Sequence, residues 1–252
     1  MHDDASPAMT LPPAQAPCAW GYRLWATALS SLYNALLRVK GYTIRLARTP
    51  EEQDLVYRLR WRVYTEVGYL LPEQFPDGRF RDRADAVSYS WLAWWHDEPV
   101  GTVRATPLVH GIAPVFEYVR ELPALRAIQA RAAELGRYAV VPAHRKGVIA
   151  AGLILNIFAW AVTSPYAYLV WGASRRLARW TLRFSPYIRE IPIPRDQINP
   201  TDIIGYFEQH PQVAVYIAPT CRIRLRAWLH FLGERMTRFT RRVGHYARGK
   251  SR

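Results

Sequence analysis

Cysteine is nearly missing from this sequence: Cys18 and Cys221 are the only two in 252 residues. That is too few for a disulfide framework, and no Cys/His cluster has the spacing of a zinc site, so no metal and no bound cofactor are expected. A reducing cytoplasm is the simplest home. The chain does not open with a basic stretch, an apolar run and a small-residue cleavage site, which argues against secretion. Long hydrophobic runs are missing as well. The longest apolar window, 148–162, is shorter than the roughly 20 residues a membrane span requires and is broken by Asn156, so it reads as a buried core helix. Acidic residues are scarce, 20 against 34 Lys and Arg, and the net charge of +14 predicts attraction to polyanions. Without a helix-turn-helix, RNP or zinc-finger pattern, that charge promises only salt-sensitive, nonspecific contact with nucleic acid.

What is present is 50% hydrophobic, enough for a globular domain with a sizeable core. Residues 1–17 carry several prolines and small residues without an apolar period and read as a disordered leader. In 18–40, Leu24, Ala28, Leu32 and Leu36 recur every four positions, which predicts an amphipathic helix docked on something apolar, most simply the domain itself. No repeat and no Gly/Ser-rich linker divides 41–220, so one domain is expected there. In 221–252, Leu225, Trp228, Leu229, Leu232, Met236, Phe239 and Val243 form an apolar stripe, and Arg222, Arg224, Arg226, Arg235, Arg238, Arg241 and Arg242 cover the other side. Such a basic amphipathic helix suits an anionic membrane surface or an acidic partner, and equally a core-docked helix with a solvated basic face.

Within the domain a short strand is expected at 42–46. Thr49, Pro50 and Glu52 then match a helix start, with cap, first-turn proline and capping-box acid, and Leu55, Val56, Leu59, Val63 and Val67 supply its buried stripe. Strands at 88–95 and 100–106 flank His96, Asp97, Glu98 and Pro99, a hairpin signal. A strand over 137–141, an apolar helix over 146–162 and a strand over 168–171 follow, so the order is mixed α/β.

The most informative stretch runs over 134–147, where a strand meets the start of the apolar helix. Backbone N–H groups at a helix N-terminus, helped by Arg145 and Lys146, can hold a phosphate through aligned dipoles and charge-assisted hydrogen bonds. Glu134 is the candidate general base for any reaction that must remove a proton from a nucleophile; a structural ion pair with Arg137 or Arg104 is the competing role.

A strand ending at Val141, then Pro142, then Arg145-x-x-x-x-Ala150 and an apolar helix resembles the acyl-thioester motif of the GNAT superfamily. Further matches resemble acyl-homoserine lactone synthases and N-acyl amino acid synthases: Leu59-Arg60-Trp61-Arg62-Val63-Tyr64 with Gly68-Tyr69, the paired Asp82 and Asp85, Gly101-Thr102-Val103-Arg104, Glu134 with Arg137, and Ser174-Arg175. The resemblance implies an α/β (α+β) fold, with a GNAT-like mixed, mostly antiparallel central sheet flanked by helices and extra helices at both termini. It implies Glu134 as catalytic base and a backbone N–H near Val140 or Val141 as oxyanion donor. Arg60, Tyr64, Asp82, Asp85, Arg104 and Arg137 would bind the amino-acid substrate and hold the cleft. Arg145, Lys146, Gly147, Val148, Ile149 and Ala150 would bind the acyl-phosphopantetheine of acyl carrier protein. Val148 and Ala150 stand where loop glycines are usual, and a β-branched residue restricts close backbone approach, which favours the single phosphodiester of a carrier protein over the pyrophosphate of acyl-CoA. Phe158, Trp160, Trp171 and Trp180 are candidates to line an acyl tunnel or the core. The implied activity is transfer of a long-chain acyl group to an amino acid. A lactone synthase using S-adenosylmethionine is the alternative, and a non-catalytic basic binder of membrane or nucleic acid is a third.

Overall fold

The computed structural model describes residues 18–119, 122–145, 148–179, 181–183, 185–199, 203–210 and 212–222. The expected leader 1–17, Lys146, Gly147, Trp180 and all but the first residues of the expected C-terminal helix lie outside them. Seven strands form one sheet in the order β1-β2-β3-β4-β5-β7-β6: β1 Tyr42–Leu46, β2 Tyr89–Trp95, β3 Glu98–Pro107, β4 Ala132–Val140, β5 Tyr168–Ser174, β6 Arg189–Ile193 and β7 Val213–Pro219. Every pairing is antiparallel except β4 with β5, in agreement with the mixed, mostly antiparallel sheet expected. The helices are α1 Trp20–Arg38, α2 Pro50–Glu66, α3 Val115–Tyr118, α4 Pro123–Ile128, α5 Val148–Thr163, α6 Arg175–Ala178 and α7 Ile204–Gln209.

Local chemistry accounts for the best-defined elements. Thr49 accepts the Glu52 N–H at 3.2 Å while Glu52 accepts the Thr49 N–H, closing the capping box of α2, and Pro50 occupies its first turn. Val56, Leu59 and Val63 are buried on that helix as the stripe requires, while Leu55 and Val67 are half-buried. The β2–β3 hairpin turns at His96, which takes a positive φ of 51°. β4 begins five residues earlier than the expected strand, and β6 and β7 have no counterpart in the sequence reading.

α5 is the central core helix: its Leu153, Leu155, Ile157 and Phe158 are fully or almost fully buried. α1 packs along it through Ala26, Leu29, Tyr33 and Leu37, and Tyr33 donates a hydrogen bond to the Val148 carbonyl at 3.0 Å. The three large side chains each contribute about 1.5–3 kcal/mol by burial. Gly152 lets the two helices close up, since a Cβ there would lie 2.9 Å from Leu37 Cδ1 and 2.5 Å from Ile44 Cδ1. The docked face is thus one position away from the expected stripe. Leu24, Ala28, Leu32 and Leu36 all face outward, because the four-residue stripe and the face meeting α5 are different sides of the same helix.

The two cysteines are not independent thiols. Cys18 and Cys221 form a disulfide with Cα atoms 5.2 Å apart, joining the start of α1 to the turn after β7. Spacing in sequence could not suggest this pair, because 203 residues separate its members.

Candidate active site

β4 and β5 pair only over Ala132–Glu134 and Tyr168–Val170. Beyond those residues the two strands separate, leaving a wedge in the middle of the sheet. β4 is distorted on its other edge too: its register against β3 slips between Thr102 and Arg104, and Arg137 takes a positive φ of 52°. A positive φ in a non-glycine residue is strained and persists only where its surroundings hold it. Here Asp82 holds it, accepting from Arg137 Nε at 3.0 Å and Nη2 at 2.6 Å, while the guanidinium lies 4.5 Å from the Phe80 ring centroid.

Glu134 sits where the strands part and is 3% exposed. Its carboxylate accepts from the Val115 backbone N–H at 3.0 Å and from the Tyr118 hydroxyl at 3.2 Å, both supplied by α3. Neither Arg137 nor Arg104 forms the ion pair that was the competing role, since both are committed to aspartates. Burial raises the Glu134 pKa to about 7, against the opposing pull of the Val115 N–H, the nearby arginines and the Tyr118 hydroxyl. A carboxyl poised there exchanges a proton near neutrality. Burial, followed by the Glu134 charge, drives the Tyr118 hydroxyl well above its ordinary value, so Tyr118 remains a donor.

The arginines and aspartates singled out in sequence meet in one cluster. Arg60 donates to Asp85 at 2.7 Å and to Ser90 at 2.9 Å, and Arg104 bridges Asp82 at 2.7 Å and Asp85 at 2.8 Å. Arg60 and Arg104 have no exposed surface. Burial alone would raise the Asp82 carboxyl, but Arg137 and Arg104 outweigh it and hold that group well below the usual carboxylate range. The cluster ties α2, β3 and β4 together beneath the cleft. Of its members only Arg137 lines the cavity.

That cavity, about 700 Å³, follows the wedge between the strands. Tyr64, Glu134, Arg137, Val140, Arg145 and Ala150 line it, among the residues expected at the site. Val148 and Ile149 point instead into the core, at 2% and 1% exposure. The Val141 N–H is taken by the Val100 carbonyl at 2.9 Å, and Arg145 donates to the Val140 carbonyl at 2.9 Å while remaining exposed at the rim. Phe158 and Trp171 reach the cavity, whereas Trp160 packs against Tyr89, Trp91 and Tyr166. Among the described residues no group of three or more His, Cys, Asp or Glu side chains could hold a metal.

Several lining residues escaped sequence reasoning. Tyr118 comes from a four-residue helix with no periodic signal. Tyr206 and His210 come from or follow α7, where Tyr206 accepts the Ser174 N–H at 2.8 Å and His210 pairs with the Tyr69 hydroxyl at 3.0 Å. Only the aromatic pair Tyr206-Phe207 could have flagged that wall. Gly205 allows α7 to sit against the α2 turn, since a Cβ there would collide with the Gly68 carbonyl oxygen.

A family model described as N-acyl amino acid synthase FeeM matches residues 55–184, a span that holds Glu134, Arg137 and the whole arginine–aspartate cluster. No curated protein sequence matches the chain. Among solved structures, FeeM, an N-acyl amino acid synthase from uncultured soil microbes, is 14% identical, with 71% of this chain and 90% of that one covered at a TM-score of 0.53. The CoA-dependent acyl-homoserine lactone synthase BjaI, solved with MTA, is 19% identical, with 78% and 90% covered at 0.54. TofI, solved with an inhibitor and MTA, is 16% identical, with 73% and 95% covered at 0.52. At such identities these likenesses speak for the fold.

Proposed function

The chain belongs to the N-acyl amino acid synthase FeeM family and is an acyltransferase, and we propose that it moves a long-chain acyl group from acyl carrier protein to the α-amine of an amino acid. The observation that carries this reading is Glu134: a buried carboxyl at the mouth of a split sheet, with its pKa raised to about 7.

The chemistry follows from that placement. An α-ammonium must lose a proton before its nitrogen can attack, and a second proton as the amide forms. Glu134, held by Val115 and Tyr118, accepts a proton from the attacking nitrogen. The nitrogen bonds to the thioester carbonyl carbon, the C–S bond breaks, and the sulfur leaves as the carrier's thiol on taking up a proton. Backbone along the parted edges of β4 and β5, outside their mutual ladder, faces a substrate lying in the wedge, and the Val140 backbone flanks the carbonyl as its oxyanion develops. The apolar wall, including Val103, Leu135, Ile154, Phe158 and Leu169, suits an acyl chain, each buried CH₂ of which contributes about 0.8 kcal/mol.

The excess of basic residues and the exposed Arg145 at the rim favour an acidic carrier protein as donor. Phe80, 1% exposed beneath the Arg137 guanidinium, offers no carboxylate to a sulfonium substrate, which favours the linear product over a lactone. The test is a mass-spectrometric product scan. Purified protein is incubated with acyl-loaded carrier protein or acyl-CoA, and with the twenty amino acids or S-adenosylmethionine. A linear N-acyl amino acid made faster from the carrier protein supports the proposal; an acyl-homoserine lactone, or no product from any pairing, overturns it.

A further inference from the structure

α1 carries an outward face that its docking on α5 leaves uncovered. Trp20 is 78% exposed, Leu24 55%, Leu32 60%, Leu36 41% and Val39 80%, with Ala28 exposed in the same row. Single exposed leucines are ordinary, but a continuous row along a helix of 19 residues, about 28 Å long, is a surface with a purpose. The face holds no carboxylate. Residues 5–50 contain neither Asp nor Glu, while Arg23, Arg38, Lys40, Arg45 and Arg48 fall in or just after α1.

Charge says what covers it. The Cys18–Cys221 bond holds the start of α1 against the turn after β7, and the Tyr22 hydroxyl, donating to the Thr220 carbonyl at 3.3 Å, fixes the same junction. From residue 222 to the end, the sequence has ten Lys or Arg and one acid, Glu234. The apolar ridge therefore belongs to a strongly cationic chain, with Arg23, Arg38 and Lys40 in α1 or just after it and no acidic residue nearby in sequence. A second copy, carrying the same +14, would repel. A lipid surface with anionic headgroups complements both features at once, with Trp20 and the leucines entering the interface and the cations meeting the headgroups.

We propose that the outer face of α1 is a docking surface for an anionic membrane, on which the protein lies peripherally. Among the described residues no helix is long and apolar enough to cross a bilayer, so the contact is interfacial. This surface lies outside the family match at 55–184, and its test does not depend on acyl transfer.

The experiment is co-sedimentation of the full chain with phosphatidylcholine vesicles containing or lacking about 30% phosphatidylglycerol, near physiological salt and at about 0.5 M salt. The parent is compared with Leu24→Glu/Leu32→Glu and, as a neutral counterpart, Leu24→Ser/Leu32→Ser, each checked for an unchanged thermal transition. The expected result is binding to anionic vesicles only, weakened by salt, with the partition coefficient reduced about tenfold or more in both variants. Failure of the parent to bind, or binding that both variants retain, overturns the proposal. So does a dimer of the parent that both variants abolish, which would assign the ridge to a second copy.

Discussion

At the scale of the residue, the site turns on how one carboxyl is held. Burial alone makes Glu134 a weak acid, and the donors from α3 keep it from rising further. Glu134→Gln keeps the shape and removes the proposed base, so kcat should fall by about 10²-fold or more, and the parent's rate should rise with pH through a limb near 7 that the variant lacks. The same shift has a consequence for stability. Its folded value, about 7, lies above the ordinary 4.5, so the contribution is complete below pH 4.5 and is lost as pH rises through 7. Glu134→Gln should therefore be the more stable protein at pH 8, by up to about 3 kcal/mol in urea denaturation, while being the slower enzyme. Tyr118→Phe removes a hydrogen bond that lowers the Glu134 pKa; the pH limb should move upward and the rate at pH 7 should fall, both visible in a kcat profile. Glu134 was legible in the sequence through its spacing from Arg137. Tyr118 and Val115 were not, because a four-residue helix has no period to read.

Among elements, the informative case is α1. An i, i+4 row of leucines announces an amphipathic helix, and the helix is there. Periodicity fixes which residues share a face and leaves open which face meets the domain. Here the row containing Ala26, Leu29, Tyr33 and Leu37, with the small Gly152 opposite, offered closer approach than the row of Leu24 and Leu32. The arginine–aspartate cluster makes the complementary point. Its members were legible one by one, yet they looked like substrate ligands, and burial of Arg60 and Arg104 makes them the frame that joins α2, β3 and β4. Asp82→Asn leaves two buried guanidiniums short of a counter-charge and should lower stability by about 3 kcal/mol or more, read as a shift in urea midpoint. The folded Asp82 pKa is depressed, so its contribution is present above the ordinary carboxylate value and is lost as pH falls through the folded value. The deficit of the variant should accordingly shrink in acid.

For the whole molecule, the disulfide closes the described chain nearly end to end. Replacing Cys18 and Cys221 by Ser, or reducing the bond, should lower stability by about 2–4 kcal/mol in denaturant titration, since the link constrains a loop of 203 residues in the unfolded chain. The sequence by itself determined the family, with the mixed sheet that the family implies, the order of the main elements from α1 to β5, and the stretch over 134–145 proposed to carry the chemistry, because local propensity, capping and motif spacing act between residues near one another in the chain. Only the tertiary structure decided that Cys18 meets Cys221, that Tyr206 and His210 wall the cleft, that Arg60 and Arg104 are buried, and which side of α1 faces out. Those outcomes join residues far apart in sequence, and they are set by which surfaces fill space best once the sheet is assembled, a competition that no local pattern records.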